Sequence, residues 1–166
     1  MAIREILLLG NPGLLEKCEP IQSDEIEFAK SIGQDLRDTI QAFRVKHGWG
    51  RAIAAPQIGI KKQIVFMEAD NPILFINPVI SEPSTEMMEI WDDCMSFPQL
   101  LIKVRRHRSC QINYFDEDWQ EQTITVNGDL SELLQHEIDH LNGILATMRA
   151  IDGTFFALQG QRHLLG

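Results

Sequence analysis

Gln135-His136-Glu137-Ile138-Asp139-His140-Leu141 is the stretch that decides how this chain reads. It contains His-Glu-x-x-His, a motif also seen in zinc proteases. On a helix, two histidines four residues apart stand one turn apart along the axis and about 40° apart around it. Both imidazoles can therefore reach one cation. A helix is predicted from Asp129 to Asn142, with Asp129 and Glu132 as a capping box and Gly143 as the stop. Leu130, Leu133, Leu134, Ile138 and Leu141 form its apolar stripe, centred near Leu130 and Leu141. Glu137 falls inside that stripe, where a carboxylate is costly to desolvate. Beside a metal-activated water the same carboxylate has a task, accepting a proton.

A catalytic centre of this kind takes three protein ligands and keeps one position open. No Glu follows Glu137, and the extended metalloprotease pattern would need a histidine at position 146, which is Ala146. His163 or Asp152 would serve only in an unusual fold. Upstream, Cys94 lies in the polar interruption Trp91-Asp92-Asp93-Cys94-Met95-Ser96-Phe97-Pro98 between two strand-like runs. Cys18 sits in the surface-like Glu16-Lys17-Cys18-Glu19, and Cys110 falls in a strand, where it reads as a small buried apolar residue. Cys94 is the favoured third ligand over a packing role.

Working outward, residues 24–46 read as a long helix, with Ile26, Ala29, Ile32, Leu36, Ile40 and Phe43 on one face, Ser23 as cap and Gly48 as stop. Residues 48–59 are rich in Gly, Ala and Pro and read as irregular. Strands are predicted at Gln63–Met67, Ile73–Ile76, Glu86–Trp91, Leu101–Val104, Gln111–Phe115 and Gln122–Val126, and a last short helix at 152–163. Helices bracketing a run of short, mostly antiparallel strands give an α+β class around the histidine-bearing helix. With 166 residues, 44% hydrophobic and 23% charged, one domain over 1–166 is expected, able to fold without disulfides. Three cysteines cannot complete a disulfide framework. No apolar run approaches the ~20 residues of a membrane span, and Ile6-Leu7-Leu8-Leu9 is too short for a signal core, so a cytoplasmic protein is expected. A net charge of −9 argues against DNA as a partner. The one basic run, Lys103-Val104-Arg105-Arg106-His107-Arg108, is weighed as an anion contact but reads as an ion-paired strand face.

Three ordered blocks give the chain a resemblance along essentially its whole length. Gly50-Arg51-Ala52-Ile53-Ala54-Ala55-Pro56-Gln57 is similar to G-x-G-φ-A-A-P-Q, Asp92-Asp93-Cys94-Met95-Ser96 to E-G-C-L-S, and Gln135–Leu141 to Q-H-E-x-D-H-L. Together they resemble the peptide deformylase family. The resemblance implies that family's α+β fold, Cys94, His136 and His140 as metal ligands, and Glu137 as general base and acid. It also implies Gln57 and the Met95 N–H as oxyanion donors, with Gly50 and Ala52 beside the substrate. The implied metal is Fe2+, replaceable by Zn2+, Ni2+ or Co2+. The implied substrates are N-formyl-methionyl nascent chains, with a transient ribosome contact, no membrane, and a monomer favoured. Three departures stand out. Asp92-Asp93 replaces Glu-Gly, so any pairing of Asp92 with Arg106 must adjust, and Asp93 either accepts a histidine N–H or crowds the substrate. Ala52 replaces a second glycine, and Ile144-Leu145-Ala146-Thr147-Met148 lacks the family's Leu-Phe. Deformylation is expected; the rivals are an endopeptidase, and a deformylase-like metal-binding protein of shifted preference or weak activity.

Overall fold

The computed structural model describes residues 2–166. Helix α1 spans Ile26–His47 and α2 spans Asp129–Leu141. Eight strands run β1 Ala52–Ala54, β2 Ile64–Met67, β3 Ile73–Ser81, β4 Met87–Asp92, β5 Leu100–His107, β6 Ser109–Phe115, β7 Glu121–Asn127 and β8 Phe156–Leu158. They pair antiparallel in two sheets, one of order β1-β2-β3-β6-β7 and one of order β4-β5-β8. The class is α+β, as the sequence leads one to expect.

The five-stranded sheet has a helix on each face, and strand β2 shows why. All four of its residues are buried. Ile64 and Phe66 pack with Ile32, Leu36, Ile40 and Phe43 of α1, while Val65 and Met67 pack with Leu133, Leu134, Ile138 and Leu141 of α2. Successive strand side chains point to opposite faces, so a strand covered on both sides must be apolar throughout. Helix α2 also touches β5, which places it where the two sheets meet. The first residues stitch this junction together: Leu7 N–H donates to Gln57 O at 2.8 Å and Leu9 N–H to Ser96 O at 2.8 Å.

Several expectations are corrected. Ser23 does not cap α1; Ser23–Glu25 forms a 3-10 turn, in which Gln22 N–H donates to the Glu25 carboxylate at 2.8 Å. The capping box at Asp129 and Glu132 is absent, because α2 starts directly after Gly128 and the Glu132 carboxylate takes Arg51 instead. Leu130, expected at the centre of the apolar stripe, is exposed in the first turn. The segment 48–59 is not wholly irregular: Ala52–Ala54 forms an edge strand before a 3-10 turn at Ala55–Ile58. The helix expected at 152–163 is instead β8 followed by a 3-10 turn Gln159–Leu164. The extended Phe156–Leu158 finds a ladder on β5, with Leu158 opposite Leu100, and this outweighs weak helical periodicity. Strand β3 runs past its expected end through a bulge at Asn77 and Pro78, where the Asn77 side chain bonds both backbone groups of Ile21. Cys18 is buried, not superficial; its N–H donates to Leu141 O at 2.9 Å and its side chain joins the α2 core. Cys110 is buried on β6, as expected.

Gly143 ends α2 with φ +70°, and a Cβ there would lie 2.4 Å from Leu15 O. Left-handed strain and this backbone clash act together. Gly143→Ala is therefore expected to lower stability by about 3 kcal/mol in chemical denaturation; an unchanged midpoint would mean that Leu15 is not packed on the helix end.

Candidate metal centre

Helix α2 presents His136 and His140 toward the loop that follows β4, and that loop carries Cys94. Cys94 Sγ lies 3.3 Å from His140 Nε2, which lies 3.1 Å from His136 Nε2. All three side chains are buried, and the sulfur and ring nitrogens lie within 4.8 Å of one another. The two imidazole planes stand at 73°. Thus the sequence-predicted trio meets in space although Cys94 comes from another element.

Asp92 orients the first imidazole. Its Oδ2 takes the His136 Nδ1–H at 2.9 Å and Arg106 Nη2–H at 3.2 Å. With Nδ1 donating, Nε2 is the nitrogen turned toward Cys94 and His140; burial opposes the charge of this ring, but Asp92 and Cys94 hold its pKa well above the ordinary value. Arg106 also donates through Nη1 to Asp139, which accepts Arg149 Nη2–H at 2.8 Å. Burial disfavours the Asp92 charge, but His136 and Arg106 outweigh it and hold its pKa below the ordinary value. Burial likewise opposes the Arg106 charge, and Asp139 and Asp92 reverse that effect. Shortening the family's Glu to Asp92 therefore still allows the Arg106 contact. The neighbours Arg105 and Arg108 turn outward to Glu89 and Glu86, each at 2.7 Å, which resolves the basic run into one inward and two outward ion-paired arginines.

Gln57 is buried, and its Oε1 accepts the Ala54 N–H at 2.9 Å. That bond leaves Nε2 as the donor facing the site, 3.5 Å from Cys94 Sγ and 3.2 Å from Ser96 Oγ. Ser96 N–H also points at the sulfur, at 3.4 Å. The Met95 N–H meets no protein acceptor among the described residues. Gly50 has φ +123°, and a Cβ there would press on Met95 Sδ and Phe43, both at 3.4 Å. Glu137 is buried, and burial lifts its pKa to about 7 against the pull of His136. Glu137 Oε2 and His140 Nδ1 are buried without a hydrogen-bond partner among the described residues.

These groups line a cleft of about 610 Å³ between the edge strands β1 and β4 and helix α2. Gly50, Ala52, Gln57, Cys94, Met95, His136 and Glu137 all face it; His140 is buried and does not line it. Two ion pairs in this cleft escaped the sequence reading. Arg51 Nη2 lies 3.0 Å from the Glu132 carboxylate, and Arg162 Nη2 lies 2.7 Å from Asp93. Asp93 thus takes an arginine of the C-terminal segment and not a histidine N–H. The available signal for the first pair was a glutamate one turn before His136 on a helix face bound for burial.

Comparison with known proteins decides what this arrangement belongs to. The sequence profile of the polypeptide deformylase family matches residues 3–154. The chain belongs to that family. It is 31% identical over 178 residues to peptide deformylase 1 of Prochlorococcus marinus, covering 100% of this chain and 90% of that protein. It is 33% identical over 153 residues to the peptide deformylase of Dictyoglomus thermophilum, covering 92% of this chain and 95% of that one. Among solved structures, the peptide deformylase of Thermotoga maritima superposes with a TM-score of 0.83 at 26% identity, covering 92% of this chain and 100% of that chain. That of Legionella pneumophila gives 0.83 at 29%, covering 92% and 88%. The chain is a hydrolase of the deformylase type, and the family is metal-dependent and acts on nascent formyl-methionyl peptides. The endopeptidase alternative falls with that membership.

The residues fit a metal. A thiol and two imidazoles are the soft and borderline donors that first-row transition ions take. Their donor atoms converge in a buried space, within 4.8 Å of one another, where one cation can take all three. Asp92→Ala should weaken metal affinity about 10–100-fold, since it frees the ring of His136. A chelator-competition titration reads this; unchanged affinity would detach Asp92 from the metal site.

Proposed function

We propose that the chain holds one divalent ion through Cys94, His136 and His140 and hydrolyses the formamide of N-formyl-methionyl peptides, releasing formate. Fe2+ is the proposed native ion, with Zn2+, Ni2+ or Co2+ able to replace it. The observation that carries this reading is the convergence of Cys94 Sγ with two Nε2 atoms beside the buried Glu137 carboxylate. An ion held by the Cys94 thiolate and the imidazoles of His136 and His140 would retain positive charge and would supply the acidification of water at neutral pH.

The rest of the chemistry belongs to side chains already in place. Glu137, with its pKa raised to about 7 by burial, is matched to accept the proton of the attacking water. The oxygen of that water bonds to the formyl carbon, and negative charge develops on the formyl oxygen. Gln57 Nε2–H and the Met95 N–H are the donors that meet it. The Ala54 N–H holds the Gln57 carboxamide in the required orientation before substrate arrives. Glu137 then passes its proton to the departing amine as the C–N bond breaks, giving formate and a free amino terminus. The peptide lies extended in the cleft, where the edge strands β1 and β4 leave backbone groups to bind it. Such an enzyme works on nascent chains in the cytoplasm, as a monomer and in transient contact with the ribosome.

A second reading keeps the chemistry and shifts the substrate. The Arg51–Glu132 pair inside the cleft favours it.

Glu137→Gln should retain metal and lose formate release ~10²–10⁴-fold. Near-normal turnover on formyl-Met-Ala-Ser would remove Glu137 from its role. Cys94→Ser should lower both the preference for soft ions and the rate, measured by metal analysis beside the formate assay; unchanged values would remove Cys94 from the ligand set.

A further inference from the structure

The cleft continues from the metal-binding trio along the N-terminal half of α2. One turn before His136 and Glu137 this face carries Glu132 and Leu133, and two turns before them Asp129. A group attached to the reacting formamide has this wall beside it. Glu132 is close to the chemistry: its carboxylate lies within 4.8 Å of the Asp92 carboxylate and a His136 nitrogen. It is also sealed from solvent, with 4% of its side chain exposed, whereas its partner Arg51 is 51% exposed.

A thioether does not suit such a wall. Burying methionine here would strip water from the half-exposed Arg51 guanidinium and put no hydrogen-bonding group in its place. The pair is also asymmetric. Glu132 is anchored on the helix, while Arg51 reaches in from before β1 and lies 3.5 Å from Asp129 O. A cation entering with the substrate can take the place of Arg51 at Glu132, and Arg51 can move out toward Asp129. On this wall an anionic group would meet the carboxylates of Glu132 and Asp129, with Arg51 already paired to Glu132; of the other arginines lining the cleft, Arg162 is held by Asp93 and Arg44 lies beside Gly50.

Resting on the second reading above, in which the deformylase chemistry is kept and the substrate shifted, we propose that Arg51 and Glu132 set this chain's specificity, and that the residue bearing the formyl group carries a cationic side chain, lysine-like or arginine-like, in preference to methionine. Glu132 is the recognising carboxylate, and Arg51 is its exchangeable partner in the empty cleft. Asp92 acts on the His136 ring and Ala52 lies on the edge strand that lines the cleft, whereas Arg51 and Glu132 lie on the wall beyond them.

The test compares kcat/KM for formate release from formyl-Lys-Ala-Ser, formyl-Met-Ala-Ser and formyl-Glu-Ala-Ser, using the iron- or nickel-loaded full chain. The wild type is expected to favour lysine over methionine at least tenfold, with glutamate slowest and the discrimination carried in KM. The double substitution Arg51→Ile with Glu132→Leu removes both charges together, an exchange for apolar residues that proteins tolerate well. It should reverse the lysine-to-methionine order. Calorimetric binding of the products Lys-Ala-Ser and Met-Ala-Ser should show the same order and the same reversal. Formate release with methionine equal to or faster than lysine overturns this inference and leaves the deformylase reading standing. Absence of formate from every peptide overturns the deformylase reading, whereas the calorimetric order still reports on the pocket; equal binding of both products there counts against it.

Discussion

Everything at this site depends on one buried carboxylate. Asp92 Oδ2 accepts from both His136 Nδ1 and Arg106 Nη2, and so it determines which nitrogen of the imidazole is left to face Cys94 and His140. A histidine free to choose its tautomer or turn its ring would present a lone pair only part of the time. Held by Asp92, His136 keeps Nε2 turned toward Cys94 and His140, which is the precondition for metal affinity and for chemistry beside Glu137.

That carboxylate is itself expensive to bury, and the fold answers with an alternating chain of charges. Asp92 sits at the end of β4, Arg106 on β5, Asp139 on α2 and Arg149 in the turn beyond it. Each element that shapes the metal site contributes one member. Removing a single member of such a buried network strands its partner, which typically costs 3–5 kcal/mol. The network is therefore better regarded as fixing the docking of α2 against the three-stranded sheet than as a source of net stability. The core on the other side of α2, Leu133, Leu134, Ile138 and Leu141 against Val65, Met67 and Phe75, supplies the hydrophobic attachment.

The residues proposed for the chemistry were legible because their spacing is dictated by helix geometry and by a small number of tolerated donor types. His136, Glu137 and His140 declare themselves within five positions, and Glu137 stood out because a charge there contradicts the apolar stripe. Cys94 could be nominated by elimination, and its meeting with the histidines is a tertiary fact. The helix at 152–163 failed since the Phe156–Leu158 strand exists only by virtue of its ladder with β5. The capping box at Asp129 failed for a related reason: local pattern cannot know that Arg51, far away in sequence, offers Glu132 a better partner. Cys18 was misplaced because polar neighbours in sequence hid a side chain that turns into the core. Local rules thus succeeded where the constraint was local, and the charged wall of the cleft, made between a strand edge and a helix, lay beyond them.

The claim on which the account rests is that one sulfur and two imidazole nitrogens of this chain share a single ion with a position left open. X-ray absorption spectroscopy of the protein loaded with one equivalent of zinc measures that coordination shell directly. The account predicts one sulfur scatterer at about 2.3 Å and two nitrogens at about 2.0–2.1 Å, with one further light scatterer from solvent. A shell without sulfur, or one closed by four protein donors, would contradict it.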